Sequence, residues 1–194
     1  MIRAYEVFLG MMKKRGFIPK KVPVPSEDIV EMTGYYRFDG PNGRKKIYVL
    51  WTESFDTGSV EKIISQAKPL DEKKKGAYNH FISIYSEKFT PPAKGKIENL
   101  ELIDPTIVIE VFSVTELQTD ITDHVLVPAH TQVSEEKKQE VMKVYGCNEK
   151  NIPKIVWSDA IRRFYNFPLG SLIEIKRPTR TFGTYNISYR IVTR

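Results

Sequence analysis

A single cysteine, Cys147, stands in 194 residues. That excludes an internal disulfide and any zinc site built on a cysteine pair within the chain, and it points to a reducing, intracellular compartment. Apolar residues make up 41%, the mean hydropathy is -0.36, and no uninterrupted apolar stretch reaches the roughly 18 residues of a membrane helix. The longer candidates, such as TIVIEVF (106–112), suit a buried strand instead. No membrane partner is expected. The N-terminal MIRAYEVFLGMMKKRG sets its charge after its apolar part, the reverse of a secretory signal, so no export is expected either. Neither G-x-G-x-x-G nor a G-x-x-x-x-G-K-[ST] phosphate loop occurs, so bound nucleotide is not indicated, and without a G-x-S-x-G elbow Ser/His/Asp catalysis is not indicated either.

What is present is an uneven charge. Residues 1–150 carry 22 Lys/Arg and 22 Asp/Glu, whereas residues 151–194 carry eight Lys/Arg against Asp159 and Glu174. The whole net charge of +6 therefore lies in the last 44 residues. Such asymmetry suits an acidic partner, either nucleic acid or an acidic protein surface; a solvated basic face is the plainer reading.

Helical spacing of Ile2, Tyr5, Phe8/Leu9 and Met12, a basic last turn and Gly16 predict a helix over 2–15. IPKKVPVP (18–25) reads as extended linker, and DGPNGRKK (39–46) as a turn into the strand IYVLW (47–51). An amphipathic helix over 56–68, a strand over 80–86, a weak helix over 92–102 and a strand over 106–112 follow, an alternation that argues for an α/β layer domain. Beyond it, Ser134 and Gly146 bracket a helix with Val141, Val144 and Tyr145 on its apolar side. A short helix over 158–167 is expected to be closed by Pro168 and Gly170, and SLIEIKR (171–177) with YNISYRIVT (185–193) reads as a β-hairpin. The expected division is 1–117 and 118–194, α+β overall.

Three stretches invite chemistry. DITDHVLVPAH (120–130) gathers Asp120, Asp123, His124 and His130, but the histidines are six apart across Pro128 and the remaining one, His80, lies in the other half. No metal is expected; an extended segment with Val125 and Val127 on one face and His124 on the other is the blander reading. Glu174 and Lys176 share a strand face, as a metal-dependent nuclease needs, although Glu-x-Lys also occurs at Glu72/Lys74, Glu135/Lys137 and Glu136/Lys138. FTPPAKGK (89–96) reads as a proline-stiffened loop presenting Lys94 and Lys96 to phosphates, or as a solvated turn.

The segments DITDHVLVPAHTQVSEEKKQEVMKVYG, IPKIVWSDAIRRFY and GSLIEIKRPTRTFGTYNISYRIV follow one another in an order that resembles the assembly domain of the fifth subunit shared by eukaryotic nuclear RNA polymerases, which has a shorter homologue in archaeal polymerases. The resemblance rests on His124, Val127, Pro128 and His130, on Ile152 to Ile155, and on Asp159, Arg163, Gly170, Arg177, Pro178, Gly183, Tyr189 and Arg190. Departures fall at Ala160, Arg162, Leu169, Thr179, Arg180 and Thr181, with one residue inserted near Asn186. More thinly, RGF (15–17) and FTPPAK resemble the jaw domain of the eukaryotic protein, which archaeal members lack.

The resemblance implies a jaw domain over 1–117, with a nuclease-like α/β fold that retains no active site, and a small α/β assembly domain with a β-hairpin over 118–194. It implies a non-catalytic subunit that docks on the largest polymerase subunit and its small neighbours through His124, Val127, Pro128, His130, Asp159, Arg163, Arg177, Pro178, Tyr189 and Arg190. Thr90, Pro91, Pro92, Ala93, Lys94 and Lys96 would lie near downstream duplex DNA, bound without sequence preference. No catalytic residue, metal, cofactor or homo-oligomer is expected. The location implied is the nucleus; the departures are also consistent with a divergent copy from a large DNA virus, which would place it in a viral factory or virion. The competing readings are a nuclease using Glu174 and Lys176, and a free-standing DNA-binding regulator.

Overall fold

The computed structural model describes residues 2–20, 31–40, 43–67, 78–179 and 183–194. The chain divides into two compact units, Met1–Thr119 and Asp120–Arg194.

The first unit opens with α1 (Ile2–Lys14), which ends where Gly16 enters the left-handed region (φ 83°). There the Gly16 and Phe17 N–H groups return to the carbonyls of Lys13 and Met12, the hydrogen-bonded close that a glycine permits at a helix end. Its buried face is Ala4, Tyr5, Val7, Phe8, Met11 and Met12; Ile2, expected on that face, is exposed. Strands β1 (Ile18–Lys20), β2 (Glu31–Gly40) and β3 (Gly43–Phe55) run antiparallel, then β4 (His80–Phe89) and β5 (Val108–Ser113) continue parallel in the order β1-β2-β3-β4-β5. The parallel pairs need crossovers, supplied by α2 (Thr57–Ala67) and α3 (Pro91–Ile103). Sheet and helices together make a mixed α/β unit in which an antiparallel edge precedes the expected alternation. Residues 21–25 of the expected linker and 41–42 of the expected turn lie outside the described residues, and Gly40 pairs with Gly43 across the latter.

Both faces of the central strands are covered, which is why 47–51 and 80–84 are buried without alternation. On one face Tyr48, Leu50, Phe81 and Ile109 pack with Val60 and Ile63 of α2 and Ala93 and Ile97 of α3. On the other, Trp51 meets Tyr5 and Phe8 of α1, with ring centroids 6.3 and 6.1 Å apart. Asp56 caps α2, accepting the Ser59 N–H at 2.9 Å.

The second unit is a four-stranded sheet in the order β6-β8-β9-β7, from β6 (Ala129–Gln132), β7 (Lys154–Val156), β8 (Leu172–Pro178) and β9 (Tyr185–Thr193). β7 runs parallel to β9, and the other pairs are antiparallel. On one face α4 (Glu135–Tyr145) brings Val141 against Leu172, Ile191, Val133 and Ile152. On the other, α5 (Ala160–Tyr165) and Phe167 pack on Ile155, Ile173, Ile175 and Val192.

Four local expectations are corrected here. Val144 and Tyr145 of α4 are exposed, because the helix turns Lys138 and Val141 inward instead; Lys138 reaches the Gly170 carbonyl at 2.8 Å and Glu149 at 2.7 Å. Helix α5 is closed by Asn166 in the left-handed conformation (φ 52°), ahead of Pro168. The segment before Pro128 is not extended: a short 3-10 turn at Ile121–Asp123 leads into a tight turn in which the Val127 N–H meets the His124 carbonyl at 2.9 Å. Finally, the β8/β9 register runs unbroken from Pro178↔Tyr185 to Leu172↔Ile191, so the residue placed as an insertion near Asn186 makes no bulge. Arg180 and Thr181 lie outside the described residues.

Candidate functional site

The alternation of side chains along β8 and β9 sorts the candidate residues onto two faces. Glu174, Lys176 and Pro178 share one face with their cross-strand neighbours Tyr189, Ile187 and Tyr185. Glu174 is buried, its Oε2 accepting from Lys137 Nζ at 2.7 Å and from the Tyr189 hydroxyl at 3.2 Å, while Lys176 Nζ stands 3.2 Å from Oε1. The Lys137 hydrogen bond, opposed by burial and reinforced by Lys176, holds its carboxyl below the usual range. Thus Glu174 and Lys176 do come together, but the carboxylate serves two internal ammonium groups and a phenol. Among the described residues no group of three or more His, Cys, Asp or Glu side chains is arranged to hold a metal ion. The nuclease reading therefore lacks its ligand set.

The opposite face carries Ile173, Ile175 and Arg177 on β8, and Asn186, Ser188, Arg190 and Val192 on β9, with His130 of β6 beside Ile175. Helix α5 covers the inner, apolar part; His130, Arg177, Ser188 and Arg190 extend beyond it, with both arginines exposed. Arg177 donates to Ser188 Oγ at 2.7 Å and Arg190 to the Lys154 carbonyl at 3.4 Å. His130 sits among these charges: burial pushes its pKa below the ordinary histidine value, the Pro128 carbonyl and Asp159 oppose the shift, and Arg177 and Arg190 add to it. Its Nδ1 lies 2.7 Å from the Pro128 carbonyl oxygen. A carbonyl only accepts, so Nδ1 carries the proton and, in the neutral ring, Nε2 keeps a lone pair. Asp159 is itself engaged as the cap of α5, its Oδ1 accepting the N–H groups of Ile161 and Arg162 at 2.9 and 3.1 Å.

The fold thus gathers His130, Asp159, Arg177 and Arg190, sends Tyr189 and Pro178 to the other face, and sets Arg163, half-buried, on α5. His124 has a separate role, its Nδ1 accepting the Leu126 N–H at 3.2 Å in a turn whose tip leaves Val125 and Leu126 90% and 82% exposed. Pro128 and Val127 are half-buried behind that tip. One residue treated as a mere departure is structural: the Arg162 guanidinium lies 3.1 Å over the Trp157 ring and donates to the Phe167 carbonyl at 2.9 Å.

In the first unit, the FTPPAK stretch is the start of a helix rather than a loop. Thr90 takes the cap position, its hydroxyl turned to the Phe55 carbonyl, and Pro91 and Pro92 occupy the first helical positions, where a missing N–H costs nothing. Ala93 is fully buried, so it packs in the core and offers no contact surface. Lys96 pairs with Glu61 at 2.8 Å, whereas Lys94 is exposed.

Sequence reasoning missed a second feature of this unit. Glu110 of β5 lies buried and accepts both Arg15 nitrogens, at 2.8 and 2.7 Å, with His80 Nε2 2.7 Å from Oε1. Burial alone would raise its pKa, but the Arg15 charge and His80 outweigh it and bring the carboxyl down to about 2. The signal was legible: a glutamate inside the apolar run TIVIEVF demands a buried cation.

The first unit thus buries an ion pair at Glu110, and the second displays Arg177 and Arg190 on one face of its sheet. Comparison with known proteins gives the class. Residues 119–192 match the family described as RNA polymerase Rpb5, C-terminal domain. The chain is 31% identical over 145 residues to the DNA-directed RNA polymerases I, II, and III subunit rpabc1 of Dictyostelium discoideum, covering 75% of this chain and 71% of that one. It is 33% identical over 111 residues to the corresponding RPABC1 of Caenorhabditis briggsae (57% and 51% covered), so it spans about half the nematode protein. It is also 29% identical over 147 residues to DNA-directed RNA polymerase subunit 5-like protein 1 of Arabidopsis thaliana (75% and 67%). The chain belongs to the Rpb5 family, subunit 5 of eukaryotic-type DNA-directed RNA polymerases, and is a component of the transcription apparatus.

Proposed function

We propose that the chain is a non-catalytic subunit, with Asp120–Arg194 as the assembly domain docking on the largest polymerase subunit and its small neighbours, and Met1–Thr119 as the jaw that helps enclose downstream DNA. The observation that carries this is the display of Arg177, Arg190 and His130 on one sheet face of the unit matched to the family. Support also comes from Val125 and Leu126, an apolar tip on the segment that holds His124 and Pro128; such a tip is suited to burial by a partner. The nucleus is the proposed location, with a viral factory or virion as the alternative for a virus-encoded copy.

A tagged chain recovered from its native source tests the reading: co-purification of the two large polymerase subunits supports it, and their absence sinks it. For the jaw, Lys94 is the side chain to alter. In assembled polymerase, Lys94→Gln is expected to lower the salt slope of downstream-DNA binding by about one, whereas an unchanged slope removes Lys94 from the interface. The isolated chain is expected to bind duplex DNA weakly, with strong salt dependence, and to cleave none.

A further inference from the structure

The strip formed by His130, Arg177, Ser188 and Arg190 offers more than positive charge. An imidazole on the outer strand β6 lies on the same sheet face as two exposed guanidinium groups carried by β8 and β9, and Nδ1 of that ring is spent on the Pro128 carbonyl. Among the described residues no carboxylate stands within ion-pair distance of Arg177 or Arg190, and Asp159, the acid nearest in charge to His130, is committed to the amides of α5. His130 Nε2, an acceptor in the neutral ring, has no hydrogen-bond partner among the described residues. The strip thus offers one acceptor on β6 and donors on β8 and β9. A phosphodiester backbone presents only acceptors at its oxygens, so it satisfies the arginines and leaves Nε2 unmatched. A polypeptide presents both carboxylates and backbone N–H groups. The strip also borders β6, which among the described residues is the outer strand of its sheet, the kind of edge on which an extended chain can pair.

We propose that this strip binds a carboxylate-bearing extended segment of a partner protein, with acidic side chains on Arg177 and Arg190 and a backbone N–H donated to His130 Nε2. The inference rests on the assembly reading only for which protein supplies the segment.

The test uses the full chain. Its three histidines allow each ring to be followed by nitrogen NMR during titration with hexaglutamate at fixed ionic strength. The expected result is a shift of the His130 ring signals, a dissociation constant raised at least about tenfold in the Arg177→Gln/Arg190→Gln double variant, and clearly weaker binding of hexaglutamate methylated on its backbone nitrogens. Equal binding of the methylated peptide overturns the acceptor role of His130. A 12-base-pair DNA duplex that shifts His130 with equal or higher affinity overturns the proposal in favour of nucleic acid, and no His130 shift with any probe removes the site altogether. Failure here is separable from failure of the assembly reading. If the double variant still recovers the large polymerase subunits undiminished, the strip is not the docking surface although docking stands. If the unaltered chain recovers none, docking fails while the peptide titration keeps its own answer.

Discussion

The two units treat the same residue types in opposite ways. In the first, Glu110 is buried between Arg15 and His80, which hold its charge inside the fold, and only His80 Nδ1 of that group is left without a hydrogen bond among the described residues. In the second, Glu174 is consumed by Lys137, Lys176 and Tyr189, and Lys138 by Glu149, while Arg177 and Arg190 stand exposed. An arginine therefore means nothing by itself. Its role is set by whether the fold gives it a carboxylate before a partner can.

The contrast is broken most severely at Arg15. Replacing it with Met leaves Glu110 charged and buried with only His80, and breaking such a pair is expected to cost roughly 3–5 kcal/mol. Arg177→Gln, by comparison, is expected to stay within about 0.5 kcal/mol, since it leaves no buried group unsatisfied. Denaturant unfolding of both variants measures the difference, and similar losses would erase the distinction. Acid titration sharpens it further. Because the Glu110 pKa is depressed to about 2 in the folded protein, its contribution is present above the ordinary carboxylate value near 4.5 and is lost as pH falls toward 2. Hydrogen exchange of β5 against pH reports this directly, and Glu110→Gln should flatten the profile.

His130 supplies a smaller effect of different origin. Its depressed pKa means the neutral ring is the folded form, so stability is full above the unfolded value near 6.5 and falls as pH drops below it toward the folded value. Replacing His130 by Asn should remove that slope from the melting of the second unit without touching the first. Smallest, and unrelated to ionisation, is the cap of α4. Ser134 Oγ accepts the Lys137 N–H at 3.3 Å, and Ser134→Ala is expected to cost about 1 kcal/mol, measured by denaturant unfolding.

Much of this architecture was legible. Caps and stops announced α1, α2 and α4: Gly16 and Gly146 end their helices in the left-handed region, and Asp56 and Ser134 begin theirs. Where reading failed, a contact distant in sequence had decided. Glu31–Gly40 is a strand because it pairs along its whole length with β3, although its own residues give little regular alternation. Val144 and Tyr145 looked like core residues, yet the sheet takes Val141 and the stem of Lys138 instead. Arg162 stood only as a departure from the family pattern and is a packed residue, because Trp157 lies beneath it.

The local chemistry of this chain thus determined the ends of α1 and α4, the start of α2, most of the runs that become strands, and where the excess positive charge sits along the sequence. The motifs from His124 to Arg190 also carried the family. Only the tertiary structure decided which charges are spent and which are offered. Arg15 meets Glu110 across 95 residues, and His130 comes to lie among Asp159, Arg177 and Arg190 by strand pairing and the docking of α5. The physical reason is that a charge's role depends on burial and on the nearest opposite charge, and both are properties of the packed sheet rather than of neighbours in sequence.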